Sequence, residues 1–240
     1  MKRSEFIKKT MLGLTASFLL PRIVQAQTPE MSGEHLPSTL PHFVTAGNGF
    51  GNRIAITFDD GPNPGITEVV LEELAKRNLR ATFFMIGRNV KAYPSLAKEV
   101  ADAGHEVANH SYTHSAFNKM SDEKVMDELQ MTQDVIAEAT GKTPKWFRPP
   151  YGAFRKNQGH MPLSKGLGIV YWSVDPQDWA QPGASVITSR VLGQTGPGSI
   201  ILLHDLHQQT AQAVGNILDG LQEKSYNFTN MTHFVGEPYV

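Results

Sequence analysis

No cysteine occurs in the 240 residues. That absence excludes disulfides, thiolate nucleophiles and cysteine-based zinc sites, while leaving the compartment open. Charge of one sign is equally lacking: 22 Lys and Arg face 23 Asp and Glu, for a net charge of −1. With neither a basic excess nor an acidic tail, no nucleic-acid partner is expected. There is no internal repeat, no low-complexity block and no apolar run long enough to span a bilayer comfortably. What remains is ordinary globular composition, 40% hydrophobic and 19% charged, at a length that suits one sizeable domain and is short for two. Nothing in it bears on oligomeric state.

The N-terminus carries a targeting signal. Lys2, Arg3, Lys8 and Lys9 form a basic region, residues 11–20 an apolar run, and Val24-Gln25-Ala26 supplies small residues where a signal peptidase reads. Residues 1–26 are therefore expected to be a signal peptide and the protein to be exported, periplasmic or extracellular. Arg3 to Lys8 resembles a twin-arginine signal, except that Ser4 stands where the second Arg belongs. No Cys follows the run to take a lipid, and no transmembrane anchor is expected in the mature chain. Residues 27–52 are rich in Pro, Gly, Ser and His without a sustained period, and read as a linker or an extended lead-in strand.

Beyond that lead-in, strand-like and helix-like segments alternate. Ile66, Val69, Val70 and Leu74 recur at helical spacing, and Ala81 to Ile86 reads as a buried strand. Leu96, Val100 and Ala103 mark a helix closed by Gly104. Ser121 is placed to cap a longer one, with Asp122 and Glu123 in its first turn and Gly141 just past its end. Residues 184–194 and 210–224 complete the helical set. Repeated β-α units imply an α/β fold with a parallel sheet and helices outside, either an open sheet or a closed barrel.

Chemistry-bearing residues gather at the ends of the apolar runs. Ile54-Ala55-Ile56 leads into Thr57-Phe58-Asp59-Asp60-Gly61-Pro62, which sets two adjacent carboxylates in a turn. Two such acids repel, so a buried pair calls for a cation or an unequal division of protons. Gly104 to Ala108 reads as a helix-ending glycine and a short strand, delivering His110 and His114 to the same sheet edge. Histidines four apart are expected to share one face of a helical turn and reach a single ion. Two His and one Asp leave a tetrahedral metal with an open position, the arrangement of a catalytic site. Arg148-Pro149-Pro150-Tyr151-Gly152, Asp175-Pro176-Gln177-Asp178-Trp179 and His204-Asp205 each follow an apolar run as well. In parallel sheets ligands bind beyond the carboxyl ends of the strands, so these segments read as one assembled site.

The five segments, in this order, resemble those of the polysaccharide deacetylase family, whose domain is also called NodB-homology and whose members are metal-dependent carbohydrate esterases. The likeness runs from about Arg53 to about Phe228, and no catalytic motif position departs from the family pattern. It implies a distorted (β/α) barrel with fewer than eight complete units, filling residues 53–240 as the catalytic domain. It also implies Asp60, His110 and His114 as metal ligands, with Asp59 free to act as general base. Arg148 would pair with Asp59, and Tyr151 would offer its backbone N–H to the oxyanion. His204 would be the general acid, with Asp175 as its carboxylate partner. Trp179 and Leu202 would shape a pocket for the acetyl methyl, and the Tyr151 side chain a groove wall.

The His2Asp set points to zinc, with cobalt as a plausible substitute. The expected activity is removal of N-acetyl groups from N-acetylglucosamine-containing polysaccharide, peptidoglycan or chitin-like, with release of acetate. The alternatives are an O-acetyl esterase acting on xylan-like polymers and a carbohydrate-binding relative without catalysis. Intact Asp59 and His204 argue against the last, because a binding module needs neither a free base nor an acid.

Overall fold

The computed structural model describes residues 43–236 and Pro238. The expected signal peptide, residues 1–26, and residues 27–42 of the expected lead-in lie outside the described residues. The strands are β1 (Phe43–Val44), β2 (Arg53–Asp59), β3 (Thr82–Met85), β4 (Glu106–Asn109), β5 (Trp146–Phe147), β6 (Gly168–Val170), β7 (Ile200–His204) and β8 (Asn227–Phe228). The helices are α1 (Thr67–Lys76), α2 (Gly87–Ala92), α3 (Pro94–Asp102), α4 (Asp122–Thr140), α5 (His160–Ser164), α6 (Ala184–Gln194), α7 (Gln208–Glu223) and α8 (Met231–Val235).

All the strand pairs are parallel, in the order β1-β6-β5-β4-β3-β2-β7, with β8 added beside β2. The chain leaving β6 forms a parallel bridge from Val174 to Ile201 in β7, which curls the sheet back on itself. With β1 and β8 only two residues long, this is the distorted (β/α) barrel of fewer than eight complete units that the resemblance implied. Among the described residues no helix is long and apolar enough to cross a membrane.

Strand pleat decides what faces the interior. Successive side chains of β2 point to opposite faces. Ile54, Ile56 and Phe58 pack outward against α1, α6 and α7, through Val70, Leu74, Val191, Ile217 and Leu221 among others. Ala55, Thr57 and Asp59 alternate with them and take the opposite face. Ala55 packs there with Phe84, Ala108, Trp146, Val170 and Ile200. The last of the alternate set, Asp59, is thereby aimed into the mouth of the barrel at its carboxyl end.

The opposite end is plugged by α8, an element that no sequence motif announced. Met231 and Phe234 join the interior cluster, each contributing about 2 kcal/mol of apolar burial. Polar contacts fix the plug to the first residues of the strands. The Glu106 carboxylate accepts from the Thr232 hydroxyl and its N–H, Met231 N–H donates to Thr82 Oγ1 (3.0 Å), and Trp146 Nε1 donates to Thr232 Oγ1 (3.0 Å).

The long helix α4 begins and ends where its sequence signals fall. Ser121 Oγ accepts from Lys124 N–H at 3.5 Å, and Gly141 closes it with φ 67°, a left-handed conformation in which glycine carries no Cβ penalty.

Candidate active site

Asp59 is the last residue of β2, and Asp60 turns sharply out of the strand with φ 78°. The turn is tied down by its backbone: Asp60 N–H donates to Phe84 O (3.2 Å), while Asp60 O accepts from Asn89 Nδ2 (2.8 Å) and Asn63 Nδ2 (3.2 Å). Gly61 is required there, since a Cβ would sit 2.2 Å from Asp205 Oδ2. The adjacent acids therefore point different ways and have different partners.

Asp60 meets two imidazoles. His114 Nε2 lies 3.2 Å and His110 Nε2 3.5 Å from Asp60 Oδ1. The His110 Nδ1 is 2.7 Å from Arg148 O, an acceptor only, so Nδ1 donates there and Nε2 is the ring nitrogen turned to the cleft. The His114 pKa is pushed down to about 4 by burial and by His110. Burial alone would raise the Asp60 carboxyl, but His110, His114 and His204 hold it well below the usual carboxylate range. Among the described residues the buried Asp60 Oδ1 nevertheless meets no hydrogen-bond partner.

These three groups fit a metal. Their ligand atoms lie within 4.8 Å of one another. Tetrahedral zinc with ligands at about 2.1 Å needs edges of about 3.4 Å, close to the two contacts at Asp60. A buried carboxylate oxygen facing two imidazole nitrogens is the donor set that a metal ion takes. The histidines do not share a helical face, contrary to the expectation from their spacing. They lie on a loop in which Ser111 (φ 64°) and His114 (φ 60°) are left-handed, and that bend brings both rings to Asp60.

Asp59 is held by Arg148. The guanidinium, wholly buried, donates from one terminal nitrogen to Asp59 Oδ1 (2.7 Å) and Thr57 Oγ1 (2.8 Å), and from the other to Tyr171 O (2.9 Å). Its flat face covers the Phe84 ring at 4.1 Å. One Asp59 oxygen is thus fixed, and the other, Oδ2, is left 3.6 Å from His110 Nε2.

On the other side of the cleft, His204 ends β7. Its carboxylate partner is Asp178 rather than Asp175, which corrects the pairing that the resemblance implied. His204 Nδ1 is 2.8 Å from Asp178 Oδ1, while Asp178 Oδ2 accepts from His204 N–H and Thr210 Oγ1 (each 2.8 Å). Burial disfavours the imidazolium, yet the hydrogen bond and charge of Asp178, with Asp59 and Asp60 beyond, push the His204 pKa up to about 9. Asp175 instead folds onto its own turn, accepting from Gln177 N–H at 2.8 Å, and burial raises its carboxyl. Left-handed Gln177 (φ 56°) then reverses the chain between the two acids.

One cleft of about 460 Å³ is lined by Asp59, Asp60, His110, His114, Tyr151, Asp175, Trp179, Leu202 and His204, so every expected site residue except the buried Arg148 borders it. Tyr151 is 69% and Trp179 54% exposed at the rim, whereas Leu202 is buried. Tyr151 is left-handed (φ 59°) and sets its ring edge-on to His114, centroids 4.6 Å apart. Pro149, Trp172, Leu206 and His207 complete the lining. None of those four was singled out by its spacing. His207 follows Asp205 by two residues, and only the turn into α7 brings it to the cleft.

Comparison with known proteins accords with this geometry. The PgdA peptidoglycan-N-acetylglucosamine deacetylase of Listeria monocytogenes is 38% identical over 185 residues, 77% of this chain and 39% of that protein. The chain thus spans well under half the length of that relative. Among solved structures, the Bc1960 peptidoglycan N-acetylglucosamine deacetylase superposes with a TM-score of 0.78 at 32% identity, covering 81% of this chain and 93% of that one. BA3943 of Bacillus anthracis, a CE4 family pseudoenzyme, superposes with a TM-score of 0.77 at 33% identity, covering 81% of this chain and 69% of that one. The polysaccharide deacetylase family profile matches residues 46–172, more than half of the chain, and on these grounds the chain belongs to that family.

Proposed function

We propose that this protein is an exported, metal-dependent hydrolase that removes N-acetyl groups from N-acetylglucosamine-containing polysaccharide, peptidoglycan or a chitin-like polymer, and releases acetate. Asp60, His110 and His114 hold the metal, zinc by the chemistry of the donor set, with cobalt as a substitute. When bound, it supplies Lewis acidity towards the acetyl carbonyl and an acidified water. Asp59 accepts the proton of the attacking water on Oδ2, the oxygen that Arg148 leaves free. Arg148 orients Asp59 through the contact to Oδ1. The backbone N–H of Tyr151 meets the developing oxyanion. His204, with Asp178 on Nδ1, gives the proton on Nε2 to the departing nitrogen as the C–N bond breaks. Leu202 provides an apolar seat for the acetyl methyl, and the rings of Tyr151 and Trp179 suit the apolar face of a pyranose.

The observation that carries this reading is a pair of groups bordering one cleft. A carboxylate is tethered to a buried cation, and a histidine is held protonated by a buried carboxylate. A pseudoenzyme shares the fold, so the fold alone argues no activity, but a binding module has no use for such a pair. An amide also leaves as a poorer leaving group than an ester and needs a protonated acid more. Export rests on the basic and apolar leader of residues 1–26, and the cell-wall glycan on the substrate named for the similar Listeria and Bc1960 deacetylases. The test is to measure acetate and new primary amines together on peptidoglycan, N-acetylglucosamine oligomers and acetylated xylan. Equimolar acetate and amine from the amide substrates is expected. Acetate from xylan alone would make the protein an O-acetyl esterase, and no release from any of them would make it a binding protein.

A further inference from the structure

The buried stripe of α4 contains a polar residue that the mechanism does not use. Val125, Leu129, Thr132, Ile136 and Thr140 recur at helical spacing on its inner face, and Glu128 lies among them at 5% exposure. A carboxylate in that position is buried only where donors meet it. Glu128 is outside the cleft lining, and its partners all belong to the loop between the two histidines. Oε2 accepts from Tyr112 N–H (2.8 Å) and Thr113 N–H (2.7 Å), and Oε1 accepts from the Thr113 hydroxyl (2.8 Å).

That loop is a strained piece of backbone, with Ser111 and His114 both left-handed without being glycine. Such a conformation persists only where its surroundings over-determine it. On one side Gly87 and Arg88 N–H donate to Ser111 O (2.9 Å) and Tyr112 O (3.1 Å). Within the loop, Asn109 Oδ1 accepts from Ser111 N–H (2.9 Å), and Ser111 Oγ accepts from His114 N–H (3.0 Å). Glu128 takes the two remaining N–H groups between the histidines and ties them to α4.

We propose that Glu128 is a positioning residue for metal binding: it fixes the loop in the bend that sets His114 against Asp60, and so raises affinity for the cation without touching it. This rests on the metal-dependent reading above. Groups behind a metal's direct ligands typically control affinity by about 10–100-fold. Glu128→Met keeps the side-chain volume but accepts no N–H, so a loss of zinc affinity of about that size is expected. Glu128→Gln still offers an oxygen to both N–H groups and an amide donor to the Thr113 hydroxyl, and is expected to restore most of the affinity.

The experiment titrates zinc into the chelator-stripped protein against a chromophoric competitor, and records the visible spectrum of the cobalt form. Loss of affinity and an altered cobalt band in folded Glu128→Met, with recovery in Glu128→Gln, is the expected result. Should Glu128→Met fail to fold, Thr113→Val removes one of the three contacts on an exposed residue, with an expected affinity loss of roughly two- to five-fold. A variant that only lowers the melting temperature, with zinc affinity and cobalt spectrum unchanged, would overturn the proposal and leave the metal site standing. Failure of the unsubstituted protein to bind zinc or cobalt would overturn both.

Discussion

Replacing Asp178 with Asn tests the acid side of the site most sharply. The amide oxygen can still accept from His204 Nδ1, but the negative charge is lost and the NH2 replaces the oxygen that accepts from His204 N–H and Thr210 Oγ1. His204 sits at about 9 because Asp178 outweighs its desolvation. Without that charge desolvation dominates, and the pKa falls to about 6.5 or below. The difference, about 2.5 units, corresponds to about 3 kcal/mol. At pH 8 the protonated fraction then drops from about 0.9 to about 0.03, a roughly 30-fold loss of rate, whereas at pH 6 the loss is less than about two-fold. A cation held by Asp60, His110 and His114 lowers the histidine in both proteins, so the displacement between them is the quantity to read. The assay is kcat/KM against pH on N-acetylglucosamine oligomers, with Asp175→Asn in parallel. Asp178→Asn is expected to move the upper limb down by about 2.5 pH units and Asp175→Asn by much less. An unmoved limb in Asp178→Asn, or a larger shift in Asp175→Asn, would refute the assignment.

Three further outcomes follow from the same geometry. Asp59→Asn is expected to retain stoichiometric zinc but lose at least about 100-fold in kcat, the scale of a missing general base; loss of zinc by metal analysis would make Asp59 a ligand instead. His114→Ala is expected to abolish both zinc binding and acetate release in a protein whose far-ultraviolet circular dichroism is unchanged. Gly61→Ala forces a Cβ against Asp205 Oδ2 and is expected to cost about 1–3 kcal/mol in denaturant unfolding. Much of that cost should be recovered when Asp205→Ala is added, and purely additive effects would contradict the clash.

The sequence revealed the site better than its wiring. Apolar runs ending in Asp59, near His110, and at His204 are legible because a buried parallel strand must be apolar along its length, so polar residues can appear only where it surfaces. Strand pleat then fixed Asp59 towards the barrel mouth, as the alternation with Phe58 requires. The i, i+4 spacing of His110 and His114 misled, since the same spacing is also reached by a loop with two left-handed residues, and neither Ser111 nor His114 is a residue type that announces them. Asp175 and Asp178 are equivalent as letters, and only the left-handed turn at Gln177 decides which one meets His204. The plug α8 has too few residues to show a period, and its hold on the barrel comes from Glu106 and Trp146, far away in the chain. Glu128 did leave a trace, a charged residue on the apolar stripe of α4, whose meaning required knowing what lies opposite.

Amide hydrolysis by this protein should require a cation held by Asp60, His110 and His114. The most direct measurement strips the protein with chelator, confirms by elemental analysis that it is metal-free, and titrates zinc back while following primary amines formed from N-acetylglucosamine oligomers. Activity should be absent at the start, rise in proportion to added zinc and level off at about one equivalent, as a single three-ligand site requires. Full amine release by the demonstrably metal-free protein would contradict the account.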